Sequence, residues 1–360
     1  MKVKILGAGS IGNHLCNACR IVGWDVTMID ASEEALQRMR EEIYPKRYGE
    51  WDEAIKQFNL ENGPKGGFDV IFIGTPPEYH LSLATRVLKE EAPKLLQIEK
   101  PLCTPLLDGI GDFMKEVKAH PETAIIVGFN HIVAENTMKT EEMMKDEDLG
   151  KFVSLDAEVR SHWRGIFGAH PWLDGPKDTY LGFWERGGGA GGEHIHAINL
   201  WQHFAHVGGA GKVKEVNAMF DIVEKNGAKY DQFCFINLLT ENGITGRVAQ
   251  DVVKYPKTKN AHLQYEEGYI EWHNDLDKTT DEVHLQVGKE EKQVTTITKD
   301  RKEEFGREIE HIKDIVEGKI KVSDSPMCLE RGLDSMLVLA AAYKSHLEKR
   351  TVEVDYSIYD

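Results

Sequence analysis

The sequence has no run of about 18 apolar residues, the length a helix needs to cross a bilayer, so no transmembrane segment is expected. It also lacks a basic excess. Lys and Arg number 44 against 60 Asp and Glu, a formal net charge of -16. Binding phosphate polymers depends on neutralising cations, so nucleic acid and anionic membranes are excluded as partners. One anionic ligand held by a local basic pocket stays compatible with that balance. Cysteine is scarce. Cys16, Cys19, Cys103, Cys234 and Cys328 form an odd, scattered set, which reads as reduced thiols in a cytoplasmic protein. Internal repeats and low-complexity segments are absent. The opening MKVKILGAGSIG is too briefly apolar for a signal peptide, and its glycines have a different use.

What is present supports sizeable cores: 41% of the 360 residues are apolar, and the length favours two domains. Residues 1–130 alternate strands and helices. Phe68–Gly74 (FDVIFIG) is a continuous apolar run, the kind buried on both faces of a parallel sheet. The expectation is a Rossmann-type, doubly wound parallel sheet. After about Gly150 the pattern becomes strand-rich, interrupted by one helix expected over Glu193–His206 and closed by two more near 303–317 and 326–347. Residues 131–360 therefore read as an α+β domain on a mostly antiparallel, open sheet, and the whole chain as α/β. The segment Arg160–Gly192 reads as one long aromatic and Gly-rich loop, a length that is usually functional.

Gly7, Gly9 and Gly12 form G-x-G-x-x-G between the first strand and the first helix, with Ser10 and Ile11 inside the motif. The first Gly permits the tight turn, the second admits a pyrophosphate to the backbone, and the third packs helix on strand. Asp30 ends the second strand, where an acid binds the adenosine ribose hydroxyls and repels a 2′-phosphate. NAD is the expected cofactor, with NADP as the alternative. Cys16 and Cys19 give C-x-x-C inside the first helix, which reads as two small residues packed on the sheet. Two E-x-x-H pairs, Glu193–His196 and Glu308–His311, could suggest a di-iron bundle. Such a site needs four facing helices in a segment that is mostly strands, so no metal is expected.

Gly74-Thr75-Pro76-Pro77-Glu-Tyr-His80, followed by Glu99-Lys100-Pro101, resembles the glucose–fructose oxidoreductase / inositol dehydrogenase / rhizopine-catabolism (Gfo/Idh/MocA) family. Gly187–Asn199, Ser325-Pro326, residues 340–345 and residues 352–354 are similar to later segments of that family. Glu193 and Asn199 stand where Asp is usual, and Glu193 precedes His196 by three residues rather than four. The resemblance implies hydride transfer between NAD(P) and a secondary hydroxyl of a sugar, cyclitol or nucleotide-sugar. It implies catalytic roles for Lys100, His196 and Glu193, with His196 as general acid/base and Lys100 on the reacting oxygen. Thr75, Pro76, Pro77, His80, Glu99 and Lys100 would contact the cofactor. Arg160, His162, Trp163, Arg164 and Trp184, with Lys100, Glu193 and His196, would bind a small-molecule carbohydrate. His194 is a weaker candidate, and Lys254, Lys257 and Lys259 could face an anionic substrate. Without the motif, Lys100 would read as a surface lysine. The family also contains NAD-dependent glycosidases and non-catalytic NAD-sensing regulators, which are the rival readings. A homodimer or homotetramer is expected, formed by covering a bare apolar face of the second sheet.

Overall fold

The first sheet is built from short strands that carry between none and three polar side chains each. In the computed structural model, which describes residues 1–146, 149–168, 170–277, 279–299 and 301–359, these are β1 (Lys2–Leu6), β2 (Asp25–Asp30), β3 (Lys56–Asn59), β4 (Val70–Ile73), β5 (Leu95–Ile98) and β6 (Ala124–Val127). They form one sheet in the order β3-β2-β1-β4-β5-β6, with every pair parallel. All four residues of β4 and of β5 are buried, as a sheet covered by helices on both faces requires. This is the doubly wound order whose connections reverse between β1 and β4, the place where such sheets bind ligands.

The edge strand β3 escapes a reading by periodicity because KQFN is short and has one apolar residue. The helix expected over residues 33–43 is instead Glu33–Arg38, a π-helical stretch Met39–Ile43, and a further turn Tyr44–Tyr48. Cys16 and Cys19 are fully buried on the helix Ser10–Ile21, in keeping with packing.

By its contacts the chain separates into two compact units. Unit 1 contains Met1–Cys103, Asp108–Asn130 and Lys302–Leu329. The last of these segments lies beyond residue 130 in the chain yet packs on the first sheet. Cys328 makes an antiparallel bridge to Ile126, and the Val127 N–H donates to the Met327 carbonyl at 2.9 Å.

Unit 2 contains Thr104–Leu107, His131–Arg301 and Glu330–Asp360. Its strands are β7 (Phe152–Arg160), β8 (Val213–Lys225), β9 (Ala228–Thr240), β10 (Thr245–Asp251), β11 (Thr258–Tyr265), β12 (Gly268–His273), β13 (Thr280–Val287), β14 (Gln293–Thr298) and β15 (Val352–Glu353). They form a mixed sheet in the order β14-β13-β12-β11-β7-β10-β9-β8-β15, parallel only between β7 and β10. The helix Glu135–Asp146 is an element that sequence reading left out, because ENTMKTEEMMKD carries few apolar residues. No described helix is long and apolar enough to cross a membrane.

Residues alternate in burial along these strands, as Leu155, Ala157 and Val159 do on β7. The opposite face is mixed. Asn217, Asn237, Arg247, Asp156, His262, Glu271 and His284 stand opposite one another in register across seven strands. Met219 and Phe235, paired in the next row of the same face, are exposed.

The glycines of the nucleotide motif differ physically. A Cβ at Gly12 would lie 1.9 Å from the Gly7 carbonyl oxygen, whereas a Cβ at Gly9 would meet nothing within 4 Å among the described residues. Ala is the better helix former by up to about 1 kcal/mol, but backbone on backbone cannot yield cheaply. Gly12→Ala is therefore expected to lower the melting temperature by roughly 2–10 °C, from about 1–3 kcal/mol of overpacking. Gly9→Ala should melt within about 1 °C of the parent, since Gly9 (φ -74°, ψ -166°) already has a backbone any residue adopts. Equal melting of the two variants in a thermal scan would contradict this packing account.

Candidate functional site

In unit 1 the site is made of loops at the C-terminal ends of β1, β2, β4 and β5. Gly7 has φ +110°, and its own Cβ would lie 2.7 Å from the Gly74 carbonyl oxygen. The β1 and β4 loops thus touch backbone to backbone. The Gly-rich loop is held by two side chains. Asp30 Oδ2 accepts from the Ala8 N–H at 2.7 Å, and its Oδ1 accepts from the Ser32 N–H at 2.8 Å. Each oxygen keeps a second lone pair for a ribose hydroxyl. Fully buried Asn13 donates to the Ala8 and Gly9 carbonyls at 3.3 and 2.8 Å. Sequence reading missed Asn13, although its place one residue after Gly12 marks the buried side of the helix. Ser10 opens that helix and accepts from the Arg47 guanidinium at 2.9 Å through its hydroxyl. Ile11 fills the space over Gly74.

Thr75, Pro76 and Pro77 lead from β4 into the turn Pro77–Tyr79. His80 does not present its ring to a ligand, contrary to expectation. It is buried, with Nδ1 2.9 Å from the Pro101 carbonyl and Nε2 2.7 Å from the Thr75 carbonyl. It ties the Thr-Pro-Pro loop to the Glu-Lys-Pro loop. Burial lowers its pKa and favours a neutral ring, which donates to one carbonyl at a time. The Lys100–Pro101 peptide is cis.

Glu99 is a second correction. Its side chain turns into the interior, close enough to Gly128 that a Cβ there would lie 2.5 Å from Oε1. Gln97 is the polar residue of β5. Its amide donates to Glu99 Oε1 at 3.0 Å and to Glu308 Oε1 at 2.7 Å. Glu308 belongs to the helix Arg301–Val316, so this cluster lies wholly within unit 1. Burial pushes the Glu99 carboxyl up to about 7, and burial with the neighbouring Glu99 pushes Glu308 well above the usual carboxylate range. Lys100 follows directly, its N–H 3.4 Å from Glu99 Oε2.

In unit 2, His196 opens the helix His196–Val207. Its ring stacks on His131, with centroids 4.1 Å apart and planes 26° from parallel. His131 is fixed in turn. Thr137 Oγ1 donates to the His131 carbonyl at 2.7 Å, and Trp272 Nε1 donates to Thr137 Oγ1 at 3.0 Å. His131 was not foreseen, since 65 positions separate it from His196. The single helix expected from Glu193 is two. Gly189–Glu193 ends at Glu193, and the next begins at His196. Glu193 and His196 therefore lie on separate helices. Asn199 is buried and donates to Ser335 Oγ at 3.1 Å. His203 pairs with Glu141 at 2.9 Å, and His194 is buried.

The Gly-rich approach to His196 rests on buried Asp231. Its Oδ2 accepts from the Gly191 N–H and its Oδ1 from Tyr343 Oη, both at 2.7 Å. Burial still pushes its carboxyl up to about 7. Gly189 has φ +73° and leaves no room for a Cβ, which would lie 1.9 Å from Asp231 Oδ1.

The segment 160–192 is not structureless. It carries the helix Trp163–Gly168 and three short 3-10 turns. Several expected substrate contacts are taken up internally. Arg160 bonds Asp251 through Nε. Trp163 is buried against Tyr230, and Trp184 is buried with its ring stacked 4.6 Å from Tyr343. His162 is half-buried and accepts from the Arg164 N–H, while Arg164 is exposed. Lys257 and Lys259 bind Asp275 at 2.9 and 2.8 Å, and Lys254 faces Glu158 at 3.7 Å. These lysines neutralise carboxylates rather than wait for an anion.

No protein-family profile matches the sequence, and no curated protein matches it. Solved structures share its fold. An aldose–aldose oxidoreductase from Caulobacter crescentus, complexed with glycerol, superposes with a TM-score of 0.76 at 16% identity, covering 98% of this chain and 99% of that one. A levoglucosan dehydrogenase complexed with NADH and levoglucosan gives 0.74 at 16% identity, covering 98% and 99%. An oxidoreductase from Agrobacterium radiobacter, in complex with NAD+, L-tartaric acid and magnesium, gives 0.74 at 16% identity, covering 98% of each chain. The chain has the fold of these oxidoreductases.

The acid pair under Lys100 sets a pH dependence. Both carboxyls have folded-state pKa values above their unfolded ones. Their contribution to stability is full below about pH 4 and is lost as pH rises through about 7. Glu308→Gln removes one titrating group and the repulsion on the other. Its melting temperature should fall less between pH 5 and pH 8 than that of the parent. A steeper or unchanged fall, followed by circular dichroism, would show that the pair is not raised.

Proposed function

We propose that the chain is an NAD-dependent oxidoreductase that moves a hydride between nicotinamide and a secondary hydroxyl of a sugar, cyclitol or nucleotide-sugar. The observation that carries this reading is the unequal packing of the three glycines. Gly7 and Gly12 are closed by backbone, while Gly9 opens onto free space at a helix N-terminus on the ligand-binding edge of the sheet. That cradle suits a pyrophosphate, which N-terminal amides and the helix dipole attract. Asp30 stands at the end of β2 with acceptor capacity left for ribose hydroxyls, and its charge disfavours a 2′-phosphate. The sugar ligands and nicotinamide nucleotides named for proteins of the same fold support the substrate class.

When bound, the nicotinamide accepts or returns the hydride. The chain handles the proton. An imidazole titrates near neutral pH, so His196 is the group assigned to take the hydroxyl proton and return it. Its stacking on His131, itself pinned through Thr137 and Trp272, fixes the ring plane. Lys100 donates a hydrogen bond to the reacting oxygen and stabilises developing alkoxide charge. His80, which ties the Thr75 carbonyl to the Pro101 carbonyl next to Lys100, and Glu99, which anchors Lys100's loop from below, act as positioning residues. Glu193 is left without an assigned proton-transfer role. A homodimer or homotetramer that covers the open face of the second sheet belongs to this reading, supported by exposed Met219 and Phe235 on that face.

The test is a panel of pyranoses, cyclitols and nucleotide-sugars assayed for NADH formation, followed by His196→Asn on the best substrate. Turnover should drop by about 10²–10⁴-fold, the usual contribution of general acid/base catalysis, while NAD affinity stays within about twofold. Undiminished turnover in the variant would remove His196 from the chemistry. Glycoside cleavage without NADH accumulation would replace the net redox reaction.

A further inference from the structure

The polar row on the second sheet ends in a cluster that the oxidoreductase reading does not use. Glu271 lies on β12, with His262 opposite it on β11 and His284 opposite it on β13. His273, two residues along β12, shares its face. One ligand atom each from Glu271, His273 and His284 lies within 4.8 Å of the others. All of these residues belong to unit 2.

The hydrogen bonds around the cluster decide where its lone pairs point. His284 Nε2 is 2.8 Å from Glu282 Oε2. A carboxylate only accepts, so Nε2 donates, which leaves Nδ1 as the ring atom open to a metal once any proton on it is displaced. That Nδ1 faces Glu271 Oε2 at 3.2 Å. On the other side, Asn260 Nδ2 donates to Glu158 Oε1 at 3.0 Å, which turns its amide oxygen toward His273. His273 Nδ1, 3.2 Å from that oxygen, is then the donor. Its Nε2 keeps the lone pair and is a buried atom with no hydrogen bond among the described residues, 3.6 Å from the same Glu271 Oε2. A carboxylate oxygen and two ring nitrogens therefore converge, with both rings held from behind. A cation between them, whether a ring proton or a metal ion, balances the surrounding carboxylates.

We propose that Glu271, His273 and His284 bind a divalent transition metal of the zinc type. Tetrahedral zinc with bonds of about 2.0–2.1 Å sets neighbouring ligand atoms about 3.3 Å apart. The N–O separations of 3.2 and 3.6 Å are already close to that. Two imidazoles with one carboxylate suit zinc and its neighbours rather than magnesium or calcium, which take oxygen. Glu282 and Asn260 play the part that outer hydrogen-bond partners play for metal-binding histidines, fixing tautomer and ring plane. Three protein ligands leave a fourth position for water or another small ligand. One local cation competes: exposed Lys292 places Nζ 3.4 Å from His284 Nδ1.

The test is a calorimetric titration of zinc chloride into the untagged, chelator-treated full chain. One ion per chain should bind with micromolar or tighter affinity, undisturbed by excess magnesium. Glu271→Gln and His284→Asn should each weaken binding by at least about tenfold, a lower bound suggested by losses at even the outer partners of metal sites. Lys292→Ala should bind as tightly or more so. X-ray absorption of the zinc-loaded parent should show two imidazole nitrogens, independent of any variant's folding. Failure to saturate, unchanged affinity in a His273→Asn/His284→Asn double variant with parental circular dichroism, or a spectrum without imidazole would each overturn the site.

Discussion

The first unit depends on backbone meeting backbone where no side chain could fit. The helix that follows β1 is pressed against the Gly7 carbonyl at Gly12, and Gly7 is pressed against Gly74 at the end of β4. Those contacts fix the spacing of two loops at the edge where the strand order reverses. Once they are made, the space beside Gly9 follows as what remains. Asn13 and Asp30 then have one task each, holding the loop's carbonyls and an amide so that the opening persists. Burial of β4 and β5 supplies the apolar support, and the loop conformations decide what that support carries.

Buried acids lie beneath the proposed site residues of each unit. Gln97, Glu99 and Glu308 sit under the loop that bears Lys100, and Asp231 with Tyr343 sits under the Gly-rich approach to His196. Buried carboxyls raise the free energy of their charged form, so neither cluster is there for stability at alkaline pH. Each offers several directional hydrogen bonds to backbone or amide groups whose placement matters to a nearby functional side chain. Fixing such groups at some cost in stability is how sites are commonly preorganised.

The parts that could be read in sequence were those with a local cause. A continuous apolar run announced β4, and the glycine spacing announced the first turn and the acid at the end of β2. Strand β3 and the helix Glu135–Asp146 were missed because an edge strand and a solvated helix need little apolar patterning. Roles proved harder than positions. His80 and Glu99 occupy recognisable motif places, yet their side chains turn inward, and nothing local distinguishes a carboxyl that meets a ligand from one that meets Gln97. Trp163 and Trp184 read equally well as sugar platforms or core, and burial assigns them to core. Glu308, Asp231 and His131 act on partners 211, 112 and 65 positions away, where periodicity carries no information. The Glu271 cluster is legible only after strand register is known, since it draws on two strands.

The account's central claim is that the edge bounded by Gly9 and Asp30 holds a dinucleotide. Fluorescence or calorimetric titration of the unmodified chain with NAD and with NADP tests it most directly. One NAD per chain should bind saturably, and NADP should bind at least about tenfold more weakly, for a charge repulsion of roughly 1.4 kcal/mol or more. Absence of saturable binding by either nucleotide, or tighter binding of NADP, would contradict the reading of that edge.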